Sequence, residues 1–148
     1  MAAILTQIAD AVKTELNTKL AGWGFTGITA TRKNTAKFTL ETCSTLQVTV
    51  LPIVSPVVIL DRDQLRWDCV VDVDIRKQTG DDADTEDEMV ELAEYIAAHF
   101  LQTYRSANFK VLTAEPSVTV PSEQLQEAGL FAVAVRLTIK ATSSGEAA

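Results

Sequence analysis

From Trp67 to Ile75 the odd positions Trp67, Cys69, Val71, Val73 and Ile75 are apolar, while Arg66, Asp68, Asp72, Asp74 and Arg76 fall on even ones. Successive side chains on a strand point to opposite faces, so the spacing predicts a strand over Leu65 to Arg76 with one buried and one wet face. Phe131, Val133, Val135, Leu137 and Ile139 repeat the alternation through Lys140 at similar length, which predicts a sheet partner for that strand. Met89, Leu92, Ile96, Phe100 and Thr103 or Tyr104 recur instead at three and four residues, the stripe of an amphipathic helix laid on a sheet. Thr85 with Glu88 three residues later reads as a capping box that starts this helix. Ile4 or Leu5, Ile8, Val12, Leu16 and Leu20 predict an N-terminal helix, and Gly22 offers the left-handed position that commonly ends one.

The remaining pattern is shorter-ranged. Leu46, Val48 and Val50 alternate with polar residues, and Val57 to Leu60 is a continuous β-branched run that predicts a hairpin with Leu65 to Arg76 across Asp61-Arg62-Asp63-Gln64. Pro52 and Pro56 belong at strand ends, edges or bulges, because proline donates no ladder hydrogen bond. Ile28 to Thr31 and Lys37 to Leu40 can pair through Arg32-Lys33-Asn34. Phe109 to Leu112 and the Val118, Val120 pair suggest two further short strands. Trp23 and Phe25, bracketed by Gly22, Gly24 and Gly27, read as a packed turn. No repeat or linker interrupts the order. The expectation is one α+β domain over residues 1–140, two helices on one face of a mainly antiparallel sheet, followed by a flexible tail over 141–148.

Composition narrows the function classes. With 148 residues and 47% hydrophobic composition the chain can bury a core without metals or disulfides. Its two cysteines, Cys43 and Cys69, have no motif spacing, and Cys69 lies in the apolar register as a small buried hydrophobe. No apolar run reaches the roughly 20 residues of a membrane helix, and Met1-Ala2-Ala3-Ile4 lacks the basic region of a secretory signal. A net charge of −7 disfavours tight phosphate binding, which comes largely from basic residues displacing counterions. It does not exclude a surface that nucleic acid merely passes.

Three features could carry chemistry or binding. His99 has no serine, cysteine or carboxylate placed for a triad, so it reads as structural or exposed. Asp72 and Asp74 share a strand face with Arg76, an acid, acid, base ladder of the kind that holds magnesium in metal-dependent nucleases; alternating charges on a wet strand also simply pair across strands. Between Gly80 and Glu91 stand seven acids and no base: Asp81, Asp82, Asp84, Glu86, Asp87, Glu88 and Glu91. The spacing does not fit a calcium loop, and helix N-termini favour acids through the macrodipole. Capping does not require so many. Asp81, Asp82, Asp84, Glu86 and Asp87 are therefore the candidate lumen or partner surface. No glycine-rich phosphate loop, nucleophile elbow or zinc spacing is present, so no catalytic residue, metal site or cofactor is expected.

The order of elements resembles the tail terminator proteins of long-tailed bacteriophages. The matching pieces are the helix Ile4 to Leu20, Val57 to Leu60 with LRWDCVVDVDIRKQ, TEDEMVELAEYIAAHFLQTY, and GLFAVAVRLTIKA. The resemblance covers most of the chain and rests on pattern, with no diagnostic motif; related neck and head-completion proteins share the design. It implies a structural virion protein, not an enzyme. Such a protein is a homohexameric ring that caps the tail tube protein, meets a head-tail connector or head-closure protein, and lets DNA pass without specific binding. It would sit in the virion tail or neck, in host cytoplasm during assembly, with no membrane contact. Residues 28–50 are longer than that pattern needs. A monomeric adaptor and a metal-dependent nuclease built on Asp72, Asp74 and Arg76 stand as alternatives.

Overall fold

The computed structural model of the chain describes residues 3–34, 44–54, 56–59, 64–80, 82–104, 109–119 and 129–144. Within them run α1 (Ile4–Lys19), β1 (Ala30–Arg32), β2 (Gln47–Val54), β3 (Val57–Ile59), β4 (Gln64–Gln78), α2 (Ala83–Ala98), β5 (Phe109–Thr119) and β6 (Leu130–Ser144). The strands form one sheet in the order β1-β2-β4-β6-β5, with β3 following β2 along the same edge of β4. Only β1 and β2 pair in parallel. The fold is α+β, as the patterning predicts.

The β4 and β6 alternations match because the two strands pair antiparallel along their whole length, from Gln64↔Ser144 to Gln78↔Leu130. Cys69, Val71, Val73 and Ile75 join Val133, Val135, Leu137 and Ile139 on the face that both helices cover. Ile8, Val12 and Leu16 of α1 and Met89, Leu92 and Ile96 of α2 complete one core, with Phe100 beyond α2. Each such side chain stabilises by about 1.5–3 kcal/mol when fully buried.

Several elements differ from the sequence reading. Ile28 to Thr31 is strand only from Ala30 on, and its expected hairpin partner lies outside the described residues. Ala30–Arg32 pairs in parallel with Val48–Val50, because Asn17 of α1 satisfies the outer backbone of Ala30, accepting its N–H at 2.7 Å and donating to its carbonyl at 3.2 Å. Lys37 to Leu40, Cys43 and Val120 lie outside the described residues. Phe109 to Thr119 is one strand where two short ones are predicted; the register shift between Val111 and Thr113 is a bulge that moves the apolar period by one position. β6 continues through Ser144, so residues 141–144, assigned above to the tail, are strand paired with the start of β4. The first helix ends at Lys19, and a 3-10 turn over Ala21–Trp23 closes on Gly24, whose φ of 96° makes it the left-handed residue that the pattern assigned to Gly22. The second helix widens at its end into a π turn over His99–Thr103, with Tyr104 N–H donating to the His99 carbonyl at 2.8 Å.

Candidate functional site

The acidic stretch is the start of α2, and the structure corrects how it is capped. The helix begins at Ala83, not Thr85, and its N-cap is Asp82. The Asp82 carboxylate accepts from the Asp84 N–H at 3.2 Å and from the Thr85 hydroxyl at 2.8 Å. Thr85 is thus a donor inside the first turn, and Asp82 takes the place expected of the capping box. The Thr85 hydrogen bond, with smaller help from the backbone and Lys77, holds the Asp82 carboxyl below the usual carboxylate range. Glu86 also has a structural partner: it accepts from the Thr79 hydroxyl at 2.8 Å. Thr79 and Gly80 in turn donate their N–H groups to the Gly129 carbonyl at 2.8 and 3.2 Å, which fastens the α2 entry to the start of β6.

Of the five candidate residues, two therefore serve the fold, Asp82 as cap and Glu86 as a clasp on Thr79. Asp84 and Asp87 are exposed on the first turns of α2. Asp81 lies outside the described residues. Beside this turn opens a groove of about 350 Å³ between the 24–28 turn, residues 44–46 and α2. Phe25, Ile28, Leu46 and Met89 form its apolar side, and Lys77, Thr85 and Glu88 its polar side. Sequence reasoning did not find this groove, because it is assembled from four separated segments; the glycine-bracketed aromatics are its one legible signal.

The other face of the sheet differs from the wet face expected of it. The Asp74 side chain is only 6% exposed and pairs with Arg76 at 2.6 Å. Burial, opposed by Arg76 and reinforced by Asp72, pushes the Asp74 carboxyl above its usual range. Asp72 makes a two-pronged contact with Arg136 of β6, at 2.9 and 3.1 Å. Arg66 pairs with Asp68 at 3.1 Å. The acid, acid, base ladder is thus committed to arginines, Asp72 across the strands and Asp74 along its own. Among the described residues no three histidine, cysteine, aspartate or glutamate side chains are placed to hold a metal ion.

His99 is a packed structural residue. Its Nε2 lies 3.1 Å from Glu15 Oε1 of α1, and its ring meets Trp23 and Phe100 edge-on, each at 5.5 Å between centroids. Trp23 also stacks on Tyr95 at 6.3 Å. The π turn carries His99 to the junction of the two helices.

No family model matches the chain, and no curated protein resembles it by sequence. Solved structures do resemble it in fold. A chain of the virion of a native gene transfer agent particle superposes with a TM-score of 0.50 at 15% identity, over 97% of this chain and 100% of its own. A second solved chain, at 16% identity over 91% of this chain and 94% of its own, superposes with a TM-score of 0.49. The likeness is one of fold.

Proposed function

We propose that the chain is a structural protein of a phage or phage-like virion, and within that class the terminator of a long tail. The observation that carries the proposal is the fold likeness, spanning this chain nearly end to end, to a whole chain of a gene transfer agent virion. The element order read from the sequence supports the same class. In this reading six copies close a ring on the last ring of the tail tube, stop its growth and present a face to the head connector. DNA passes through the opening, and a chain of net charge −7 suits a lumen that must not grip phosphate. The exposed Asp84 and Asp87, with Asp81 and Asp82, supply that lumen or a partner surface. No catalysis is assigned, since Asp72 and Asp74 are engaged by Arg136 and Arg76.

Deleting the gene and imaging the particles tests the proposal. Overlong, variable tails detached from heads are the expected result. Tails of normal length that fail only to join heads make the chain a neck adaptor instead. Normal, joined particles overturn both.

A further inference from the structure

The end of β2 and the short β3 form a tip whose apolar side chains the fold leaves open. Ile53, Val54 and Val57 are about half exposed, and Ile59 is 75% exposed. Val57 and Ile59 stand opposite Trp67 and Leu65, on the helix-facing side of the sheet. Val54, opposite Val70, faces the other side of the sheet, so Val57 and Ile59 carry the helix-side patch, on the order of 200 Å².

A matching concavity lies at the opposite corner. Between α2 and β5 a groove of about 150 Å³ is lined by Val90, Ala93, Pro116, Val118 and Val133, with Glu94 on one side. Its outermost member, Val118, is 55% exposed. The tip is paired with β4 at Leu65–Trp67, whereas Val118 pairs with Val133, which pairs with Ile75 at the far end of β4. At about 3.3 Å per residue and 4.8 Å per strand, tip and groove are roughly 30 Å apart. One chain cannot bring its own two surfaces together.

We propose that the tip of one copy seats in the α2/β5 groove of a second copy, a head-to-tail contact that repeats around the ring. The inference deepens the ring reading and rests on it. A groove of this size accommodates one or two branched side chains. Contact through side chains is favoured over strand pairing because the edges open among the described residues are blunted: Pro52 and Pro56 on the tip edge and Pro116 on β5 have no N–H to donate. On the β1 edge Asn17 already takes up the Ala30 N–H and carbonyl. The two exposed side chains of the tip amount to about a quarter of the roughly 800 Å² that each partner buries in a standard interface, the size of an apolar anchor at its centre. Because the two surfaces differ and lie at opposite corners, the contact is heterologous, the kind that closes into rings.

The test uses the full chain and purified particles, with native mass spectrometry and imaging of the tail end. Ile59→Glu and Val118→Lys, both at exposed positions, should each lower the oligomer at least tenfold with an unchanged circular dichroism spectrum. Mixing the two variants should restore it, because in an alternating ring every altered tip meets an altered groove of opposite charge and every native tip a native groove. If the unaltered chain forms rings and both variants form them equally well, the contact is overturned and the ring reading survives. If variant rings assemble but no longer join tube or connector, the tip meets a different protein and the contact between copies is again overturned. A chain that is monomeric in solution and makes no ring on particles overturns the ring and the contact together.

Discussion

The two faces of β4 bury side chains by opposite means. On the helix side Val71, Val73 and Ile75 are fully buried and need only shape and apolarity from their neighbours. On the other side Asp74 is nearly as enclosed and Asp72 is partly buried, and each is held by a specific cation. The helix face supplies most of the stability. The ionic face fixes which residues lie opposite one another, since a slip of one residue would move Asp74 under the helices.

Val71→Asp breaks the comparison most severely. It places an unpaired charge in the centre of the apolar face, at a cost of several kcal/mol against a total stability of about 5–15 kcal/mol. The variant should be largely unfolded by circular dichroism. A cooperative, near-native melt would mean that the helix face is not the stabilising one.

Gly129→Ala should come next. Gly129 has φ of 78°, and a Cβ there would lie 3.0 Å from the Gly80 Cα and 3.1 Å from its nitrogen, backbone atoms that cannot swing aside. Left-handed strain of about 1–2 kcal/mol adds to that clash. A loss of about 2 kcal/mol or more in denaturant melts is expected. Gly24→Ala, at positive φ but with nothing within 4 Å, should cost less. Equal losses would show that the close approach at the α2 entry is slack.

Asp74→Asn sharpens the ionic side. Burial raises the folded pKa of Asp74 above 3.8, so as pH falls the native state takes up this proton before the unfolded chain does. The cost of the buried charge is fully present above the folded pKa and is relieved as pH falls through it. Asparagine has no such charge. At pH 7 the lost cost and the lost Arg76 pair oppose each other, leaving a change within about 1 kcal/mol. As pH falls toward 4 the wild type should gain on the variant, read as the difference between their melting temperatures. A difference that moves the other way would mean that Arg76, not burial, governs Asp74.

The contrast explains what could be read from sequence. Period-two alternation in β4 and β6 and the Met89, Leu92, Ile96, Phe100 stripe announced themselves, because their burial depends on spacing alone. Asp74 was misread as wet for the same reason: alternation says which face a residue takes, and cannot say that Thr49 at 1% exposure flanks it or that Arg76 folds back on it. The bulge in β5 and the parallel pairing of β1 depend on contacts far along the chain. At the candidate site the acid run was plain, but its division of labour was not. Asp82 and Glu86 differ from Asp84 and Asp87 through Thr79, Thr85 and the Asp84 N–H, which reach them in space.

That division gives the smallest effect on stability and the clearest on function. Asp82, Asp84 and the neighbouring Asp81 replaced together by asparagine should move Tm by no more than about 3 °C, because asparagine caps a helix as well as aspartate does and exposed substitutions are usually mild. Asp82→Ala, which removes the acceptor for Asp84 N–H and the Thr85 hydroxyl, should lower Tm by about 2–4 °C. The hypothesis that these acids face the lumen or a partner predicts that the asparagine triple variant nevertheless changes the particle. Lumen residues would slow DNA passage while tails keep their length, whereas partner residues would make joining or termination fail in a salt-dependent way. Phage titre and tail lengths at two salt concentrations separate the outcomes. Wild-type values in both, with Tm unchanged, would leave Asp82 and Glu86 as the residues of this stretch that matter, and matter only for holding the entry of α2.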